Sequence, residues 1–150
     1  MNAELIEAWE INSRLNLYLL EAISDDQLTV KLEKGKSILG NFSHMHNVRK
    51  MWVKSAAIDL HDSILKLESP SRQELIDSLA ASTAAISEIL RRAERPSGKV
   101  KGFKPHAAAF AGYLISHEAF HRTCIELALR QSGRPLSDKV AYGLWEWGVR

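Results

Sequence analysis

A chain of 150 residues with 45% apolar and 25% charged side chains has the make-up of one ordinary globular domain. A net charge of +2 supplies no global field that would draw it to nucleic acid or to an acidic membrane surface. The single cysteine, Cys124, excludes an intramolecular disulfide and favours a reducing compartment.

The opening stretch MNAELIEAWEINSRL carries acids where a signal peptide carries bases. No apolar run approaches the ~20 residues of a membrane helix. A cytoplasmic protein without membrane contact is therefore expected. Helix one is predicted over residues 3–23, where Ala8, Ile11, Leu15, Tyr18 and Ala22 recur at steps of three and four. A turn follows at Ser24 to Gln27, and Gly35 breaks the chain again. Helix two is predicted over residues 37–60, and the loop after it ends at Ser69-Pro70. Helix three opens on Ser71 and Glu74 in capping-box spacing, with Leu75, Leu79, Ser82, Ile86, Ile89 and Ala93 as its stripe. Residues 95–105 read as a loop. Helix four starts near Pro105, which the first turn tolerates, and stops before Gly133-Arg134-Pro135. No stretch reads as a strand. The expected fold is all-α: a four-helix bundle spanning residues 1–150 as a single domain, with the tail SDKVAYGLWEWGVR packing Trp145 and Trp147 onto the body.

The six histidines are His44, His46, His61, His106, His117 and His121. On helix four the stripe His106, Phe110, Tyr113, His117, His121, Cys124 and Ala128 places His117 and His121 on the core side, about 6 Å apart. Two buried imidazoles cost free energy unless their nitrogens find partners, and one metal ion would serve both. Helix two offers two candidates for a third ligand. His44 shares its face with Val48, Met51 and Ser55, whereas His46 shares its face with Arg49 and Lys50, which favour water. His44 is thus expected inward and His46 outward. Three neutral imidazoles, His44, His117 and His121, suit zinc, nickel or ferrous iron and leave a position open. The competing reading makes them hydrogen-bonded core residues. His61 and His106 are expected at the surface or at helix ends; His106, about 16 Å from His117, cannot share its ion. Cys124 is a fourth ligand, a thiol near the site, or a small buried apolar residue.

HEAFH, His117 to His121, also has the H-E-x-x-H pattern of a zinc-protease helix, in which Glu118 would be the general base. Against this stand Arg122 directly after the second histidine, Cys124 and Leu127 where the extended pattern needs Gly and His, and the lack of a strand to hold substrate. Glu146 would be the downstream carboxylate of such a site. Outside that reading, Glu118 is expected to face solvent, with a supporting role behind the ligands as the alternative. Arg122 would pair with an anionic substrate or with a helix acid such as Glu118. The bases Arg91, Arg92, Arg95, Lys99, Lys101 and Lys104 are read as a solvated loop rather than a nucleic-acid patch.

The stretches ILGNFSHMHNVRKMWV (Ile38 to Val53) and AGYLISHEAFHRTCIELALRQSG (Ala111 to Gly133) resemble the DinB-like (DNA-damage-inducible, YfiT-like) family of metalloenzymes. The shared marks are His44, eight residues before Trp52, and His117 and His121 followed by Arg122. Thr123-Cys124 stands where members often have Gly-Gln. The resemblance implies an up-down-down-up bundle, a divalent metal on the three histidines, homodimers and, in some relatives, S-transfer with a low-molecular-weight thiol. The expected function is that of a metal-dependent hydrolase or thiol-dependent S-transferase. The alternative is a non-catalytic dimerisation module stapled by its metal.

Overall fold

A computed structural model describes residues 2–150. The long helices are α1 (Ala3–Glu21), α2 (Ile38–Ala56), α4 (Arg72–Arg92) and α5 (Ala107–Gln131); α3 (Ile58–His61) is a single turn, and α6 (Asp138–Gly143) lies in the tail. There is no strand among the described residues, only isolated bridges that pin Lys31 to Ser37 and Val100 to Phe103.

Side-chain caps explain where the helices begin. The hydroxyls of Ser37, Ser71 and Ser137 accept from the backbone N–H groups of Gly40, Glu74 and Val140, so each satisfies one of the free donors of its first turn. His106 does the same for α5, its Nδ1 accepting from the N–H of Ala109, which places Pro105 just before the cap. Helix two is shorter than predicted. Ala57, at φ −151° and ψ 68°, breaks it after Ala56, and the chain restarts as α3, leaving His61 at a helix end as expected.

α1 packs against α4 and α5, and α2 packs against the same two helices, so the sequence neighbours α1 and α2 lie across the diagonal. Cross-helix contacts give the directions. The Asn2 amide meets the Leu90 carbonyl and Arg72 meets those of Leu20 and Ile23, so α1 and α4 are antiparallel. Ile38 clusters with Leu75, and Val53 with Leu90, so α2 and α4 are parallel. Trp52 stacks on Phe110 while Asn41 reaches His121, so α2 and α5 are antiparallel. The bundle is therefore up-down-down-up. The tail folds back on α1, where the Arg150 guanidinium lies 3.9 Å over the Tyr18 ring; Trp147 is half-buried, but Trp145, expected to pack onto the body, is exposed.

The core consists of two apolar clusters, one built around Trp9, Val53, Ile86, Phe110 and Leu114, the other around Leu19, Phe42, Met45, Leu75 and Ile125. Between them lies a polar layer of Asn12, Ser13, Asn16, His46, Arg49, Ser82 and Glu118, all buried. This layer displaces two of the expected stripes. On α1 the buried face is Trp9, Asn12, Ser13, Leu15, Asn16, Leu19 and Leu20. It lies one residue, about 100°, from the predicted Ala8–Ile11–Leu15–Tyr18 line, of which only Leu15 is buried. On α5 Phe110, His121 and Ala128 of the expected stripe are buried, but the core line also takes in Ala111, Leu114, Glu118 and Ile125, while Tyr113, His117 and Cys124 lie off it. The α4 stripe from Leu75 to Ala93 is buried throughout, as predicted.

Candidate metal centre

The edge of α5 faces the edge of α2. His117 and His121, one turn apart, point into the groove between these helices, and His44 enters it from the α2 side. Ring centroids lie 5.3 Å apart for His44 and His117, 4.7 Å for His44 and His121, and 4.6 Å for His117 and His121. One ligand nitrogen from each ring lies within 4.8 Å of the others, close enough for all three to bind a single ion.

His121 is held by Asn41. The Asn41 amide donates to the Ser37 and Lys36 carbonyls, which turns its Oδ1 toward the ring, where it accepts from Nδ1 at 2.8 Å. The proton is thereby fixed on Nδ1, and Nε2 keeps a free lone pair. Nδ1 of His117 is buried and has no hydrogen-bond partner. Burial pushes all three imidazoles below their ordinary pKa of 6.5; His121, also repelled by His117, His44 and Lys36, falls to about 4. All three rings are neutral at pH 7 with lone pairs to offer. An unpartnered buried nitrogen, a tautomer set by a side-chain acceptor, and an all-imidazole donor set fit a borderline divalent cation such as zinc.

The surroundings are cationic and partly apolar. A cleft of about 230 Å³ beside His121 is lined by Leu32, Lys34, Lys36, Phe120 and Cys124. Cys124 is half-buried there, a thiol near the site, and it is not among the donors that converge. Beyond His117, Tyr113 stacks on that ring, and Trp52, Phe103 and Phe110 continue the aromatic wall.

Several expectations need correction. His46 does not face water. It is fully buried in the α2–α4 seam, with Nε2 donating to the Leu65 carbonyl at 2.5 Å and Nδ1 3.0 Å from the Ser82 hydroxyl. Its neighbour Arg49 is buried as well. The core face of α2 is Phe42, Met45, His46, Arg49 and Val53, whereas Met51 and Ser55, assigned with His44 to the inside, are exposed. His44 nevertheless joins the α5 pair, because its side of α2 borders α5.

Glu118 is also buried, at 0% exposure, and points away from the histidines. Arg49 clamps it with Nε on Oε2 and Nη2 on Oε1, both at 2.7 Å, and the Asn12 and Asn16 amides donate to Oε1 at 3.0 and 2.8 Å. Burial pushes this carboxyl up, but Arg49 and the amide donors outweigh it and hold the group below its ordinary value, ionised. Such a carboxylate has no free lone pair aimed at the groove, so it is not the general base of a zinc protease. Glu146 is exposed and engages Arg150 rather than the histidines. Arg122 lies on another side of α5 from the histidines and donates from Nη1 to the Oδ1 atoms of Asn12 and Asn16 at 2.8 and 2.7 Å. It does not bond to Glu118 directly; the asparagines stand between them.

Asn41 is the site residue that the sequence reading missed. Its signal was its place one turn before His44, on the same side of α2.

No curated protein and no solved structure matches this chain. The sequence model of the DinB family matches residues 1–142 of its 150. The match covers nearly the whole chain, and the chain belongs to the DinB family.

Proposed function

We propose that His44, His117 and His121 hold a divalent ion, zinc or nickel before iron, in a DinB-family enzyme that transfers a low-molecular-weight thiol or hydrolyses a small substrate. One observation carries this reading: three neutral imidazoles from two helices converge within 4.8 Å. When bound, a divalent ion lowers the pKa of a thiol or water and so provides a nucleophile at neutral pH. The chain's own residues supply the rest. Asn41 sets the His121 tautomer and ring orientation, and three neutral ligands leave a position for the reacting group. The Tyr113–Trp52–Phe103 wall excludes water on one side, while Lys34 and Lys36 border the entrance on the other.

The test is metal analysis of the purified protein beside His44→Ala, His117→Ala and His121→Ala, together with thiol consumption against an electrophilic substrate. Loss of the metal in each variant, with loss of thiol-dependent turnover, supports the reading. A full metal complement in any of the three overturns the ligand set. Chelation that lowers stability, with no thiol or hydrolytic reaction found, would instead make the ion a staple between α2 and α5.

A further inference from the structure

A cavity of about 380 Å³ lies beneath the C-terminal tail, between α1 and α5. Leu15, Ile115, Ala119, Leu144 and Trp147 give it apolar walls, and Arg122 is set into one of them. Because α5 turns about 100° per residue, Ile115, Ala119 and Arg122 form a line facing away from His117 and His121. The cavity therefore opens on a different side of the helix from the histidine cluster. Its volume falls in the range of small-molecule pockets.

Charge is what makes this cavity specific. The polar layer beside it holds two guanidiniums, Arg49 and Arg122, against one carboxylate, Glu118. Arg49 and the two asparagine amides occupy the Glu118 oxygens. Arg122 spends only Nη1, on the asparagine carbonyl oxygens, and its Nε and Nη2 donate to no protein group among the described residues. Glu126, the carboxylate that lines the cavity itself, pairs with Arg130 at 3.7 Å. A half-buried guanidinium with a free edge, in a mostly apolar wall, matches a carboxylate carrying an apolar body. Glu126 on the same wall disfavours a second negative charge.

We propose that this cavity is a ligand site for small monocarboxylates with an aryl or alkyl body, separate from the histidine cluster. The carboxylate accepts from Nε and Nη2 of Arg122, and the body lies against Leu15, Ile115 and Trp147. Leu144, Trp145 and Trp147 lie beyond residue 142, where the match to the family ends, so this wall belongs to the chain's own tail. Trp145 and Tyr142, 81% and 73% exposed, flank the mouth.

The experiment titrates the full chain with 3-phenylpropionate, and separately with octanoate, following tryptophan emission and heat of binding. The neutral 3-phenylpropanol serves as the control. Saturable one-site binding is expected for the acids, with the alcohol and Arg122→Gln each weaker by about tenfold or more. Ala119→Phe, which fills the cavity while keeping the Arg122 guanidinium, should abolish binding while circular dichroism and metal content stay unchanged. It keeps the test decisive even if Arg122→Gln does not fold. Equal affinity for acid and alcohol, unchanged binding in Ala119→Phe, or no saturable binding of either acid would each overturn the proposal. A concentration-dependent dimer that excludes phenylpropionate and is broken by Ala119→Phe would also overturn it, in favour of a second copy of the chain. Stripping the metal should leave phenylpropionate binding intact, which separates this proposal from the metal reading.

Discussion

Asn41 decides what His121 can offer. An imidazole has two nitrogens, and a ligand must present one of them bare. With its own amide committed to two backbone carbonyls, Asn41 can only accept at Oδ1, so the His121 proton stays on Nδ1. Asn41→Ala should lower metal affinity about 10- to 100-fold with the three ligands intact. Asn41→Asp, which keeps an acceptor, should retain it; competition with a chromophoric chelator reads both. The same residues give the apoprotein a pH dependence. His121 titrates at about 4 when folded and at 6.5 when unfolded. The unfolded chain therefore binds the proton first. Stability contributed by the neutral ring is complete above pH 6.5 and is lost as pH falls through about 4. Thermal melts of metal-free protein should fall across that window, and His121→Gln should flatten the fall. The place of Asn41 one turn before His44 was too weak a signal, because an asparagine one turn from a histidine has many uses and only the backbone carbonyls around it fix its orientation.

α2 shows how one helix carries two unrelated histidines. His44 lies on the side that borders α5, and His46, two residues on, lies in the seam with α4. Reading His46 as exposed rested on its neighbours Arg49 and Lys50. That argument fails when a cation is buried with a carboxylate partner from another helix, which no local pattern reveals. The α4 stripe was legible because its core face is almost wholly apolar. The α1 stripe was displaced by one residue, and the α5 stripe only in part, because Asn12, Asn16 and Glu118 fill core positions and look solvent-facing in sequence. The two faces of α2 predict opposite phenotypes. His46→Ala removes bonds to Ser82 and Leu65 and opens a void, so it should cost about 2 kcal/mol of unfolding free energy while metal content holds. His44→Ala, at the partly exposed rim, should leave apoprotein stability within about 0.5 kcal/mol and lose the metal. Urea unfolding of apoprotein, paired with metal analysis of each variant, separates them; a metal-free His46→Ala would mean that the α2–α4 seam, not His44 alone, builds the site.

Across the whole molecule, the two apolar clusters are joined by a layer in which all four long helices contribute polar groups. α1 gives Asn12, Ser13 and Asn16, α2 gives His46 and Arg49, α4 gives Ser82, and α5 gives Glu118. Arg49 stands at its centre, bonded to Glu118, the Leu79 carbonyl, Ser82 and Thr83, and stacked 4.6 Å over Trp9. Two purely apolar clusters would tolerate sliding of one helix along another, because apolar contacts are non-directional. A bidentate Arg–carboxylate pair does not, since a shift of one turn would bury both charges unpaired. The layer thus fixes the register that brings His44 on α2 level with His117 and His121 on α5. Arg49→Met leaves the Glu118 carboxylate buried without its cation and should cost about 3–5 kcal/mol. Glu118→Leu should cost a similar amount by stranding Arg49. Because each single change removes the same pair, the double variant Arg49→Met/Glu118→Leu should recover much of the loss rather than sum the two. Its metal affinity should still fall, since the directional contact that aligns α2 with α5 is gone. Denaturant midpoints for the four proteins, read beside their metal titrations, test both halves. Additive midpoints would show that the pair does not act as a unit, and a double variant with native metal affinity would show that apolar packing alone sets the register of the histidines.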